Sequence, residues 1–345
     1  MNINDILKKI DADEKLSIKE IVFLLNLQKP DALILYQKAD SIRQKHMGDE
    51  IFLRGIIEFS NYCRKDCFYC GIGRSNSTQE RYRIPEEEIL TTCKQIEAAE
   101  QTTVVLQSGE DIQYTKEILG NLITKIKSKT TLAITLSVGE RDEETYRYWK
   151  DKGLDRYLLR FETSDKELFK RCHPDDDLTT RINCLKAIKK VGIQTGSGFL
   201  IGLPEETPEQ LALDIQFCTD LDLDMIGVGP FIPHEKTEFS TTSNPFDKET
   251  YFKVISIVRL LNKKSHIPAT TAFDTIDPNG RNLLLQRGAN VFMPNATPKK
   301  YRDKYLLYPG KPCVDESASD CAGCVKGRVA ALGRSIGKGP GHSIK

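Results

Sequence analysis

Eight short apolar, β-rich runs recur along the chain, separated by charged segments with helical spacing. The runs are FLRGIIEFS (52–60), TTVVLQSG (102–109), TLAITLSVG (131–139), DRYLLRFET (155–163), IQTGSGFLIG (193–202), DMIGVGPFI (224–232), HIPATTAF (266–273) and ANVFMPN (289–295). Between them lie stretches such as PEEEILTTCKQIEAAE and YFKVISIVRLLNKK. Parallel strands need long, usually helical crossovers. Strand–helix alternation repeated eight times therefore predicts an α/β fold, a parallel (β/α)8 barrel of TIM type. Residues 1–50 read as a helical extension, with Ser17 and Glu20 forming a capping box before the apolar run Ile21 to Leu27. Thr207-Pro208-Glu209-Gln210 marks another helix start. The expected organisation is an N-terminal helical extension (1–50), the barrel (51–295) and a C-terminal segment (296–345) ending in a flexible tail, GRSIGKGPGHSIK.

Composition excludes several classes. A length of 345 residues suits one large barrel, and 39% hydrophobic residues suffice for its core. Net charge is +1, so no basic field points to a nucleic-acid partner. The start, MNINDILKKIDADEK, has no apolar run of a secretory signal, and no apolar stretch approaches the roughly 18 residues of a membrane span. A cytoplasmic location is the expectation. There, ten cysteines suggest thiols and metal ligands rather than disulfides.

Strand faces say more than strand number, because successive side chains point to opposite sides. In AITLSV, Ile134, Leu136 and Val138 share one face, and Ala133, Thr135 and Ser137 the other. In LLRFE, Leu159 and Phe161 share one face, and Leu158, Arg160 and Glu162 the other. The apolar faces should meet the helices, so the polar ones look inward. Charged groups there would be costly without partners. The expectation is a polar cavity at the C-terminal mouth, where barrel enzymes place their chemistry. The alternative is that Arg160 and Glu162 simply pair with each other.

The run NYCRKDCFYCGIG follows the first strand and carries Cys63, Cys67 and Cys70 at spacing C-x3-C-x2-C. A tetrahedral zinc site needs four ligands, and only His46 or Cys93 could supply one from a distance. A four-iron cube held by three thiolates instead keeps one iron open. A small molecule with an amine and a carboxylate can chelate that iron. A second group, Cys313, Cys321 and Cys324, has spacing C-x7-C-x2-C and reads as an auxiliary iron–sulfur site, or else as a structural zinc site or surface thiols. Cys93, Cys184 and Cys218 sit at apolar helical spacing and read as core. CHPDDD (172–177) reads as a turn and helix cap, and His234 as a mouth residue.

C-x3-C-x2-C with Tyr69 before its last cysteine resembles the radical S-adenosylmethionine superfamily. That resemblance implies a [4Fe-4S] cluster with one open iron, bound S-adenosylmethionine and reductive cleavage to a 5′-deoxyadenosyl radical. It places Gln107, Ser108, Gly109, Glu110, Ser137, Glu162 and Arg181 around the cofactor, with Tyr69 at its adenine. Serine stands at 108, where the family usually has the first glycine of Gly-Gly-Glu. The phrases RGIIEFSNYCRKDCFYCG, VVLQSGED, RYLLRFET, GVGPFIPH, IPATTAF and YPGKPC together resemble the HydE family of [FeFe]-hydrogenase maturases over roughly residues 15–330. This closer resemblance implies action on a small sulfur-bearing, cysteine-derived iron complex in assembly of the hydrogenase diiron subcluster. Its implied partners are HydG, HydF and a low-potential electron donor. Its implied cavity residues are Thr135, Arg160, Thr270, Thr271, Met293 and Tyr305, and its auxiliary cluster is a [2Fe-2S] or [4Fe-4S] centre. Two alternatives remain: a relative of methylornithine synthase or biotin synthase, and a non-catalytic iron–sulfur carrier.

Overall fold

The computed structural model describes residues 1–315 and 318–345, without the side chains of 316–322. Gly55–Ser60, Thr103–Ser108, Ala133–Ser137, Arg156–Leu158, Gln194–Ser197 and Met225–Ile226 form a parallel sheet in that order. Pro268–Ala269 and Val291–Phe292 join Glu50–Leu53 in a second parallel sheet. Single bridges close the ring, Met225 with His266 on one side and Ile56 with Asn295 on the other. Glu50–Leu53 and Gly55–Ser60 are two halves of one stave, broken at Arg54. Leu200–Ile201 and Gly229–Pro230 pair above the sheet and prolong the fifth and sixth staves toward the mouth. The eight runs of the sequence are the eight staves of the barrel.

The alternating faces come out as read. Ile134, Leu136, Val138, Leu159 and Phe161 are buried against the helical layer. Both expected capping boxes form, at Ser17 with Glu20 and at Thr207 with Gln210. Helices Ile3–Asp11, Ile18–Leu25 and Asp31–Met47 precede the barrel. Ile18–Leu25 packs on Pro208–Asp220, and Asp31–Met47 packs on Lys248–Leu261. Lys248–Leu261 is consequently buried on nearly all sides, which explains its long apolar run. No helix among the described residues is long and apolar enough to cross a membrane.

The tail corrects an expectation. Ser335–Ile336 pairs in parallel with Glu50 and Ile51, and the residues after it pack beneath the barrel. Arg156 donates to Pro340 O at 2.7 Å, Thr102 to Gly339 O at 2.6 Å and Arg54 to Gly341 O at 3.2 Å. Arg54 and Arg156 are buried, and among the described residues no carboxylate hydrogen-bonds either of them. The tail's carbonyls accept from both, and that requirement orders a glycine-rich segment that composition alone reads as loose.

Hydrogen bonds to buried charged groups contribute about 1.5–3 kcal/mol each. Deleting residues 335–345 should therefore lower the unfolding free energy by about 3 kcal/mol or more in urea denaturation. An unchanged midpoint would contradict a supporting role for the tail.

Candidate active site

The first stave ends at Ser60, and residues 61–70 carry all three cysteines of the first motif. One guanidinium ties this loop together. Arg81 donates to Asn61 O at 2.6 Å and Ile72 O at 2.7 Å, and also to Gly73 O at 2.6 Å and Asn76 O at 3.1 Å. Two glycines let other segments press against it. A Cβ on Gly71 would lie 2.2 Å from Leu306 O, and one on Gly109 would lie 2.3 Å from Tyr62 O and 2.8 Å from Cys63 Cβ. The Glu110 N–H donates to Cys63 Sγ at 3.3 Å.

The thiols' environment describes what they fit. Burial pushes Cys70 up to about 12, reinforced by Cys63, and pushes Cys67 up with reinforcement from Cys70. Burial also raises Cys63. Three half-buried thiols gathered in this way ionise only around compensating positive charge. Among the described residues, no three His, Cys, Asp or Glu side chains converge as ligands of a single ion. Cys63 and Cys70 lie near enough to raise the Cys67 thiol, and Cys63 the Cys70 thiol, so the three gather as a cluster with one thiolate on each of three irons requires.

Beside the thiols lies a buried ionic network. Glu110 accepts from Arg64 Nε at 2.6 Å and from the Glu140 N–H at 3.1 Å. Arg181 donates to Glu140 at 3.0 Å, to Asp176, and to Arg160 O at 3.1 Å. Lys65, within the cysteine run, reaches Asp176 at 3.0 Å. Gln107, at the end of Thr103–Ser108, faces Ser137 in register. Ser108 donates its hydroxyl to Gly109 O at 2.6 Å. Glu162 adopts a φ of +67°, and Asp214 stabilises the turn that follows it by accepting from the Ser164 N–H at 2.5 Å.

The residues expected to line a cavity lie on the stave ends and on the segment that follows them. Arg160 Nε donates to Glu162 at 3.0 Å, so the paired arrangement is present. Arg160 keeps another approach open. A Cβ on Gly229 would lie 3.5 Å from Arg160 Nη1 and 3.9 Å from Thr270 Oγ1, so these two groups face the same stretch of the sixth stave. The Thr135 hydroxyl is buried without a hydrogen-bond partner. The Tyr305 hydroxyl accepts from Gln107 Nε2 at 3.3 Å, and Thr270 donates to Val228 O at 3.0 Å. Thr271 and Met293 are half-buried at the ends of the last two staves.

Residues 57–218 match the Radical SAM superfamily. The chain is 45% identical over 304 residues to the [FeFe] hydrogenase maturase subunit HydE of Thermotoga maritima, covering 88% of this chain and 87% of that protein. The chain belongs to the HydE family of radical SAM enzymes. It is also 31% identical to a 3-methylornithine synthase of Methanosarcina barkeri, covering 82% of this chain and 80% of that protein. The crystal structure of methylornithine synthase PylB superposes with a TM-score of 0.82 at 26% identity, over 96% of both chains.

Membership of this family implies a [4Fe-4S] cluster and S-adenosylmethionine, which suits the three-thiol loop. Two members of the second cysteine group are described with their side chains. Cys313 adopts a φ of +62° and receives Arg281 Nη2 at 3.8 Å on its sulfur, while Cys324 is exposed on helix Ala318–Ala331. The Cys321 side chain lies outside the described residues. Cys93, Cys184 and Cys218 are buried in the core, as expected.

Sequence reasoning passed over Arg64, Lys65, Arg81 and Glu140, because single charged residues in loops carry no periodic signal. CHPDDD does cap a helix, since Asp177 accepts from the Thr180 N–H at 2.9 Å ahead of Leu178–Lys190. The same phrase also buries Asp176 and His173 beside the cysteine loop.

Burial pushes the Asp214 carboxyl up to about 7 despite its bonds to Ser164 and Thr163. The folded protein thus keeps a proton that the unfolded chain releases near pH 4, and each displaced pK unit corresponds to roughly 1.4 kcal/mol. This contribution to stability is complete below about pH 4 and is lost as pH rises through about 7. Asp214→Asn should flatten that part of the stability–pH curve, measured by urea denaturation at stepped pH. An unchanged slope would contradict the assignment.

Proposed function

We propose that this chain acts in assembly of the [FeFe]-hydrogenase diiron subcluster, on a small sulfur-bearing, cysteine-derived iron complex. The observation that carries this reading is the clamped three-thiol loop at the barrel mouth, in a chain 45% identical to a HydE maturase subunit. Cys63, Cys67 and Cys70 would hold the cluster, leaving one iron for the amine and carboxylate of S-adenosylmethionine. Bound there, the cluster supplies the single electron that cleaves the cofactor to methionine and a 5′-deoxyadenosyl radical.

The chain's own residues position and shield the reactants. Glu110 offers its carboxylate to the methionine ammonium, exchanging the exposed Arg64 guanidinium for the ligand. Arg181 and Glu162 line the methionine end, with Gln107, Ser108, Gly109 and Ser137 on the neighbouring stave ends and Tyr69 at the adenine. Arg160 and Thr270 would face the substrate beside Gly229, and the Thr135 hydroxyl supplies an unused donor. A guanidinium beside hydroxyls in an enclosed site binds carboxylate well. The cysteine-derived portion supplies that carboxylate, and its sulfur faces the radical. HydG would provide the complex, HydF would receive the product, and a low-potential donor would reduce the cluster. Cys313, Cys321 and Cys324 are the proposed ligands of the auxiliary cluster.

The similarity to methylornithine synthase favours a second reading, in which the cavity holds a small amino acid by its carboxylate. In vitro maturation of apo-hydrogenase with HydG and HydF separates the two. Wild-type protein should be required for hydrogen evolution. Cys63→Ser, Cys67→Ser and Cys70→Ser should each abolish it, together with S-adenosylmethionine cleavage. Maturation that proceeds equally without this chain would remove the maturase reading.

Arg160→Leu should weaken binding of the cysteine-derived complex by about one to two decades, the worth of a charge-assisted contact. S-adenosylmethionine affinity should change by less than about threefold. Both are measurable by equilibrium binding to the same variant. Unchanged binding of the complex would make Arg160 a structural partner of Glu162 alone.

A further inference from the structure

We propose that His173 is a positioning residue for the cofactor's adenine, acting through the Tyr69 hydroxyl. The inference rests on the functional reading above and concerns a residue outside the cysteine motif. Tyr69 Oη lies 2.9 Å from His173 Nε2. The other ring nitrogen, Nδ1, lies 3.2 Å from Phe169 O, a carbonyl that can only accept. Nδ1 therefore carries the proton. Burial, reinforced by the nearby Arg181 cation, keeps the imidazole neutral by lowering it to about 3. A neutral ring protonated at Nδ1 presents a lone pair at Nε2, so Tyr69 donates and His173 accepts.

The ring itself is held. It is fully buried and stacks on Phe169 with centroids 4.2 Å apart, while Tyr69 meets it edge-on at 5.4 Å. Phe169 and His173 occupy the helix Lys166–Cys172 and its C-cap. The Phe68 N–H donates to Cys172 O at 2.9 Å, so backbone and side chain dock residues 68–69 at one place. Tyr69 immediately precedes Cys70. Its ring has one rotatable end, and His173 fixes that end. Loss of the acceptor leaves a half-buried hydroxyl unpaired and frees the ring to turn, which loosens the surface on which the adenine would rest.

The test uses reconstituted protein and S-adenosylmethionine itself. His173→Phe keeps a stackable ring and deletes the acceptor. It should retain its iron, lose about five- to thirtyfold in S-adenosylmethionine affinity by equilibrium binding, and keep its cleavage rate at saturation within about twofold. His173→Gln places an acceptor oxygen near Nε2 and should recover affinity to within about threefold. Tyr69→Phe breaks the same bond from the other end and should show the same loss, with little further loss in the double variant. Affinity of His173→Phe within about twofold of wild type overturns the proposal. Where His173→Phe fails to fold, Tyr69→Phe decides: reduced affinity supports the contact and unchanged affinity overturns it. Wild-type protein that binds no S-adenosylmethionine overturns both this inference and the functional reading. Normal wild-type binding with unchanged variants overturns only the role of His173.

Discussion

Arg81 closes the cysteine loop into a ring of chain by donating to four carbonyls, Asn61 on one flank and Ile72, Gly73 and Asn76 on the other. A loop that carries three half-buried cluster-binding thiols cannot be left mobile, because those thiols must meet one rigid inorganic group together. Satisfying four carbonyls with one side chain fixes both ends of the loop at once. The contacts that bear on chemistry are built on that geometry. Glu110 N–H reaches Cys63 because Gly109 lies flat on Tyr62 O, and Lys65 reaches Asp176 because the loop turns back over the barrel mouth.

A second buried pair ties the C-terminal segment to the same floor. Lys311 Nζ lies 2.5 Å from Glu58 on the first stave and donates to Tyr305 O at 3.0 Å, with both charged side chains buried. A buried pair of this kind fixes register more than it adds stability. It sets the path from Tyr305, at the cavity, to Cys313, whose sulfur meets Arg281. The second cysteine group is thus attached to the barrel by its first member, while Cys324 sits on an exposed helix.

The staves and the three-thiol loop were legible because each follows a local rule. Period-two faces placed Thr135 and Arg160 inward, and spacing alone gathered Cys63, Cys67 and Cys70. The supporting residues were not legible. Arg81, Glu140 and His173 act on groups far along the chain, and nothing in their neighbours' spacing announces a partner. His173 was read as part of a turn, which is correct for Asp177 four positions later and incomplete for the histidine itself. The tail failed for the same reason in reverse: its glycines read as loose, yet Arg54 and Arg156 require its carbonyls. The Arg160–Glu162 pair was foreseen as the structural alternative and is present.

The central claim is that the clamped thiols and the polar cavity form one radical-generating site. Anaerobically reconstituted wild-type protein, given a strong one-electron reductant and S-adenosylmethionine, should release 5′-deoxyadenosine and methionine in equal amounts, quantified by liquid chromatography and mass spectrometry. Protein that takes up iron at Cys63, Cys67 and Cys70 but returns S-adenosylmethionine intact would contradict the account and leave an iron–sulfur carrier in its place.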